Sequence, residues 1–345
     1  LKTKKENRQS QVKISIENMP LSANWLSASI DSELHGFIAS RCGIKKDEVL
    51  GYRIIRRSID ARKKPDVKLI YSLVADIAES AVPKNGALPP AADQKTPWRL
   101  PEIKGNPLQN PVIVGAGPAG LFAALVLSMA GARPIVLERG YDVERRKADI
   151  DSFFSTRTLN PESNLLFGEG GAGTWSDGKL YTRVRDERID FVLKTFIDCG
   201  APEQTGYFSH PHIGSDKLPS VVSAIRRKIV ALGGEFRWGA RVENILIQNG
   251  RCGGVVLANG EKIEASAVIM ACGHSARGLI LSMIKSGVAY KLKGFQTGCR
   301  IEHPQSFINR IQFGCETAPP ALGSAEYNFA SRPTADETVG GATSF

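Results

Sequence analysis

Residues 111–140 read PVIVGAGPAGLFAALVLSMAGARPIVLERG, and this stretch decides the fold. A short apolar run, PVIV, stops at Gly115, and Gly115, Gly117 and Gly120 are spaced G-x-G-x-x-G. LFAALVLSMAG then reads as a helix, and RPIVLE returns to a strand-like run ending on Glu138. Strand, glycine turn, helix and strand in that order turn a bare glycine pattern into a dinucleotide-binding fingerprint. One glycine makes the tight turn, one lets a pyrophosphate approach the backbone, and one lets helix pack on strand. The helix presents its free N–H groups and positive end to the phosphates. Ala124, Leu127 and Gly131 continue its packing face. Glu138 stands where a carboxylate accepts hydrogen bonds from ribose hydroxyls and repels a 2′-phosphate, so the nucleotide reads as FAD or NAD rather than NADP.

A second stretch, FGEGGAGTWSDGKLYTR at 167–183, repeats the glycine spacing at Gly168, Gly170 and Gly173. Its context fails. The preceding LLF is short for a strand, and Asp177 and Gly178 fall where a helix should begin its apolar face. No strand ending in an acid follows about twenty residues on. The expectation is a loop that passes close to a cofactor anchored by the first glycines, with the N–H groups of Gly170 to Thr174 forming an anion-friendly nest.

With 345 residues the chain can bury a sizeable core in two or three domains. Its 42% apolar and 23% charged residues are those of an ordinary globular protein, and the net charge of +10 favours anionic partners without choosing among them. The six cysteines form no C-x-x-C and no metal or disulfide spacing, which suits reduced thiols. No apolar run approaches the ~20 residues of a membrane span, and the start LKTKKENRQSQ lacks the apolar segment of a secretory signal. A cytoplasmic protein is expected. An organelle stroma stays open, because a chain beginning with Leu can have lost a targeting segment.

QVKISIE (11–17) alternates as a half-buried strand, and Ile30, Leu34, Phe37 and Ile38 recur at helical spacing before Gly43. RIIRRSID and VKLIYSLVAD follow as two more strands. Residues 1–82 thus form a small α+β domain, 83–110 a linker rich in Pro, Gly and small residues, and 111–290 a nucleotide-binding domain. Residues 291–345 begin a substrate or cap region. Two amphipathic helices carry Ile189, Val192, Leu193, Phe196 and Ile197, then Leu218, Val222, Ile225, Ile229 and Leu232, with Gly200 and Gly233 as stops. Asn-Gly pairs at 249 and 259 mark hairpins in a β-rich insertion. The expected fold class is α/β, a doubly wound Rossmann-like domain with that insertion, preceded by the small α+β domain.

GAGPAGLFAALVLSMAGARPIVLE resembles the extended ADP-binding signature of the glutathione-reductase-type flavoproteins, with Pro134 at a position usually held by Val. SIDARKKPDVKLIYSL, FGEGGAGTWSDGKLYTR, HPHIGSDKL, ACGHSARG and GCRIEHPQ occur in the order that resembles, more narrowly, a family of FAD-dependent dehydrogenases in that superfamily. The resemblance covers almost the whole chain from about residue 10, and that family continues past GGATSF into a segment completing the flavin site and substrate pocket. It implies non-covalent FAD, with Gly115, Gly117, Pro118, Ala119 and Gly120 at the pyrophosphate, Glu138 at the ribose and Val242 at the adenine. Ala271, Cys272 and Gly273, in the place of Ala-Thr-Gly, form a neighbouring wall. It also sets Gly170, Gly171, Thr174, Ser176, Asp177, Gly178 and Lys179 beside the flavin. Arg139, Arg145 or Arg146 could add charge near the phosphates, although solvation at the surface is the ordinary place for them.

Competing constellations are thinner. His210 and His212 have no further ligands at suitable spacing, so no metal is expected. Arg300 and His303, in GCRIEHPQ, are candidates for acid–base work or an anion clamp at the flavin, against the alternative of a charged surface turn. No G-x-S-x-G elbow supports hydrolysis. RIIRRSIDARKK has six basic residues in twelve but lacks interleaved aromatics, which fits a solvated strand face better than nucleic-acid binding. Only one complete dinucleotide fingerprint exists, so NAD(P)H would act as a transient reductant. The reading is an FAD-dependent oxidoreductase. The alternatives are an NAD-binding dehydrogenase without flavin, a flavoprotein acting on RNA, and a non-catalytic FAD-binding protein. The sequence sets no substrate, electron acceptor or oligomeric state.

Overall fold

In the computed structural model, residues 10–23, 29–81, 98–100, 110–176, 178–180, 182, 184–209, 211–294 and 301–327 are described. The chain divides into two units. Residues 1–95, 207–209 and 293–345 form the first, and 96–206 and 210–292 the second.

The first unit is built on a strand whose alternation leaves no choice of face. In β3 (Lys68–Ala78) Leu69, Tyr71, Leu73, Ala75 and Ile77 are buried and the residues between them are not. β1 (Gln11–Ser22) and β2 (Val49–Asp60) flank it in the antiparallel order β1-β3-β2. β1 runs beyond the expected 11–17. A register shift between Ile16 and Met19, with Asn18 at φ 53°, returns Met19 and Leu21 to the buried face. Pro20 is tolerated because β1 is an edge strand. The helical spacing from Ile30 to Ile38 resolves into a 3-10 turn (Ile30–Ser32) and helix α1 (His35–Cys42), ended by Gly43 in the left-handed region.

Within 291–345, expected to begin a substrate or cap region, Ile308, Phe313, Ala321, Leu322 and Ala325 are buried in the same apolar core as this sheet. Burial of a few apolar residues over a long sequence separation leaves no local mark. Residues 83–97 and 101–109 of the expected linker lie outside the described residues, as does His210. Trp98 meets the ring of Phe191 edge-on at 4.9 Å.

One carboxylate ties this unit together. Asp31 accepts hydrogen bonds from Arg57 Nη1 (2.8 Å), Tyr71 Oη (2.6 Å) and Tyr207 Oη (2.8 Å). Burial, and then the bond to Asp31, push the Tyr71 hydroxyl up from its ordinary value. Arg57 also donates to the carbonyl of Ala321, lies 4.5 Å from the ring centroid of Phe208, and exchanges backbone hydrogen bonds with Tyr207 and Ser209.

The second unit carries a parallel sheet in the order β10-β4-β5-β6, from β4 (Val112–Val114), β5 (Ile135–Leu137), β6 (Glu235–Arg237) and β10 (Val268–Met270). This is the doubly wound α/β arrangement. Helix α2 (Pro118–Met129) crosses from β4 to β5. Helices α3 (Val143–Thr156), α4 (Arg188–Asp198) and α5 (Leu218–Ala231) lie between β5 and β6 in the chain. Strand order reverses at β4, which places a ligand crevice at its carboxyl end. The β-rich insertion is an antiparallel meander of β7 (Val242–Gln248), β8 (Arg251–Leu257) and β9 (Lys262–Glu264). Asn249 (φ 50°) and Gly250 (φ 74°) form the β7–β8 turn with the two positive φ values of a type I′ hairpin. Helix α6 (Arg277–Lys285) belongs to this unit and α7 (Gln305–Phe313) to the first. Among the described residues no helix is long and apolar enough to cross a membrane.

Replacing Asp31 by Ala would leave Arg57, 8% exposed, buried without its charge partner. Chemical denaturation of Asp31→Ala should show a loss of about 3–5 kcal/mol.

Candidate cofactor site

The site is built from the carboxyl ends of β4, β5 and β10. The N–H of Gly115 donates to the carbonyl of Leu137 (2.8 Å), extending the β4–β5 ladder to the start of the turn. A Cβ on Gly115, at φ 105°, would stand 2.5 Å from the carbonyl oxygen of Ala271, and one on Gly120 would stand 1.9 Å from that of Gly115. Both glycines are therefore demanded by the packing of turn, helix and β10. Gly117 is different. Its φ is an ordinary −69°, and a Cβ there would meet nothing nearer than Gly171 Cα at 3.9 Å. The fold tolerates a Cβ at 117, so neither backbone conformation nor packing accounts for a glycine at this helix start. Pro118 fills the first helical position, where its missing N–H costs nothing, and Pro118 and Ala119 are exposed.

Glu138 is 5% exposed, and its carboxylate accepts three backbone N–H bonds: Ala116 to Oε2 (2.8 Å), and Gly140 (2.9 Å) and Gly168 (3.0 Å) to Oε1. Beside it opens a cavity of about 490 Å³ lined by Gly115, Glu138, Arg139, Phe167, Val242 and Cys272 among others. Small-molecule sites have volumes of this order, mostly apolar with a few placed polar groups. Val242 and Glu138, the expected adenine and ribose residues, thus share one cavity. Cys272 lines it too, its thiol pushed up by burial, which removes thiolate character. Ala271 donates its N–H to Val114 O (2.9 Å), extending the β10–β4 ladder, and a Cβ at Gly273 would meet nothing within 4 Å.

The second glycine segment, with a 3-10 turn at Gly171–Gly173, folds onto the first. Gly170 N–H donates to Ala116 O (2.8 Å), and a Cβ on Gly171 would stand 3.2 Å from Gly117 Cα. The expected nest is narrower than five amides. The N–H groups of Gly170, Gly171 and Thr174 are taken by the carbonyls of Ala116, Gly168 and Gly171. Thr174, 1% exposed, spends its hydroxyl on Glu169 O (3.0 Å), and Ser176 spends its own on Gly173 O (2.7 Å). A Cβ on Gly178 would meet Leu218 Cδ1 at 2.9 Å, and Lys179 is exposed and bridged antiparallel to His212. Asp177 and Arg300 lie outside the described residues. His303 is in the other unit, exposed, with Nδ1 3.0 Å from Tyr327 Oη.

The sequence reading missed two buried charges under this loop. Arg146, expected at the surface, is 0% exposed: Nε donates to Asn164 O (2.9 Å), Nη1 donates to Glu169 O (2.6 Å), and the guanidinium lies 4.8 Å from the Trp175 ring centroid. Burial lowers its pKa to about 10, against the opposing pull of Glu138 and Glu169. Helical phase was the available signal, since Val143, Arg146 and Ile150 make up the buried stripe of α3. Glu169, also 0% exposed, accepts the Val143 N–H (2.9 Å) at the start of α3 and has Oε1 3.0 Å from Arg226 Nε, an ion pair without hydrogen-bond alignment. Burial raises the Glu169 carboxyl to about 7, while Arg226 and the Val143 N–H pull it down.

Fold and geometry define a dinucleotide-binding α/β unit. Family models match the chain in four places: a domain of unknown function at 6–76, an FAD binding domain at 110–159, FAD dependent oxidoreductase at 205–306, and a FAD-dependent protein C-terminal domain at 294–345. An uncharacterized protein of Clostridium beijerinckii is 38% identical over 90% of this chain and 59% of its own length. Protein FixC of Escherichia coli K12 is 28% identical over 67% of this chain and 50% of its own. The chain therefore spans little more than half of these relatives. The solved structure of Thermovibrio ammonificans THI4 is 20% identical, covering 53% of this chain and 65% of that one, with a TM-score of 0.34. These matches make the chain similar to FAD-dependent oxidoreductases and support FAD as its cofactor.

Glu169 makes the pH dependence of stability testable. Its folded pKa is raised from 4.5 to about 7, so the folded state holds the proton more tightly and stability is lost as pH rises between those values. Glu169→Gln should flatten that slope, by up to about 3 kcal/mol in urea denaturation across the interval.

Proposed function

We propose that the protein transfers a hydride or an electron pair through non-covalently bound FAD, and that the second unit holds the ADP half of that cofactor. The observation that carries the reading is Gly117. A glycine that neither backbone conformation nor packing requires lies at a helix N-terminus, in the first glycine loop, two residues from Gly115, which lines the cavity of Glu138 and Val242. An ADP moiety fits that arrangement. The helix start would take the pyrophosphate on N–H groups lacking intrahelical partners. Glu138 would take a ribose hydroxyl, and the wall at Val242 the adenine. The flavin, when bound, supplies reversible uptake of a hydride or electron pair.

The chain's own residues bind, orient and shield. Three N–H donors fix the orientation of the Glu138 carboxylate, which would accept from a ribose hydroxyl. A nicotinamide nucleotide acting as reductant would bind transiently, and the substrate is a small molecule reached from the flavin side.

Gly117→Ala should raise the dissociation constant for FAD about tenfold, about 1.4 kcal/mol, with the melting temperature of the unliganded protein unchanged. Fluorescence titration with FAD reads the first and circular dichroism the second. Gly171→Val cannot make this separation, because Gly171 has φ 64° and close contact with Gly117. Wild-type affinity in Gly117→Ala would sink the reading.

A further inference from the structure

Phe167 is a large aromatic side chain without a core. It is half-buried, yet it packs against none of the three apolar clusters of the described residues. It lines instead the cavity that holds Glu138 and Val242. The Arg139 guanidinium lies 3.8 Å from its ring centroid, also lines that cavity, and is fixed from the side by Glu162, with Arg139 Nη2 2.9 Å from Glu162 Oε2.

The position of Phe167 is strongly determined. Its N–H donates to Asn164 Oδ1 (3.3 Å) and its carbonyl accepts from Asn164 N–H (3.2 Å). The next residue, Gly168, donates to Glu138 Oε1. A Cβ on Gly168 would stand 2.4 Å from Arg146 Cδ, so the loop cannot settle there with any other residue without displacing that buried arginine. The loop thus holds an aromatic ring rigidly at a cavity edge, while Leu165 and Leu166 before it stay exposed.

We propose that Phe167, with the Arg139 guanidinium over its ring, is the outer wall of the adenosine cavity and closes on the purine ring of the bound nucleotide. The inference rests on the ADP-binding reading above and adds a specific contact from the second glycine segment to it. A cation–aromatic pair is chemically suited to a purine, since both guanidinium planes and aromatic faces stack on bases regardless of the base's hydrogen-bonding pattern. Gly168, next to Phe167, donates to Glu138, so the groups offered to ribose and base are tied together by one hydrogen bond.

The test measures dissociation constants of FAD and ADP for wild type, Phe167→Ala, Phe167→Leu and Phe167→Tyr, with the unliganded melting temperature of each. The expected result is a loss of about tenfold for Phe167→Ala. That loss should be the same for FAD and ADP, because the contact lies on the part they share. Phe167→Tyr should keep wild-type affinity, and Phe167→Leu, which keeps bulk but not the ring, should lose affinity with little change in melting temperature. If Phe167→Ala fails to fold, the Leu and Tyr pair decides alone. Wild-type affinity in Phe167→Leu, or a loss for FAD without one for ADP, overturns the proposal while leaving the ADP-binding reading intact. If the wild-type protein binds neither FAD nor ADP, it is that reading which fails.

Discussion

The second unit depends on one carboxylate. Glu138 is almost wholly buried and takes N–H bonds from Ala116 in the first glycine loop, Gly140 after β5, and Gly168 in the second loop. An ionised carboxylate without such partners would be too costly to bury. With them, each charge-assisted bond contributes about 1.5–3 kcal/mol, and three remote pieces of chain are fixed to one side chain. A carboxylate has about four acceptor positions. Oε1 has both of its own engaged by Gly140 and Gly168, so the acceptor position left over is on Oε2. The residue that positions the loops therefore still has capacity to bind.

This constraint explains why two similar glycine spacings have different roles. In the first loop, Gly115 and Gly120 are needed by the protein and Gly117 is not. In the second, Gly168 is excluded from having a side chain by Arg146, and Gly171 by its backbone conformation and by Gly117. The first loop leaves a helix end open. The second covers its neighbour and spends most of its amides on protein carbonyls. The same spacing thus reflects access in one case and close packing in the other, and the elements on either side distinguish them.

Much of the fold was legible because its signals are local. The β4–turn–α2–β5 sequence, the Asn-Gly hairpin and the apolar stripes of α4 and α5 each follow from residues within one or two turns of each other. What escaped was long-range. Nothing near Ile308 or Phe313 says that they belong with a sheet ending at residue 78, and nothing near Tyr207 says that it will meet Asp31. The site divides in the same way. Glu138 was legible from its place at the end of β5, whereas its three amide partners depend on how the second loop folds back. Phe167 and Glu169 sit inside a stretch whose reading rests on its glycines and on the polar residues from Thr174 to Lys179.

Arg146 shows why such residues are hard to read and why the identity matters. Its segment, VERRKADID, is polar enough to pass for a solvated helix, yet the phase of α3 turns this one arginine inward between Val143 and Ile150. There it reaches two carbonyls in different parts of the loop, Asn164 and Glu169, and lies over Trp175. A lysine could supply the charge but not the planar fork that spans two acceptors while facing an indole. Glu169 returns the restraint from the loop side, through the Val143 N–H that begins α3 and through Arg226 of α5. The loop is thereby fixed to two helices by buried polar contacts. These need no apolar pattern in a segment that must stay thin enough to lie against Gly117.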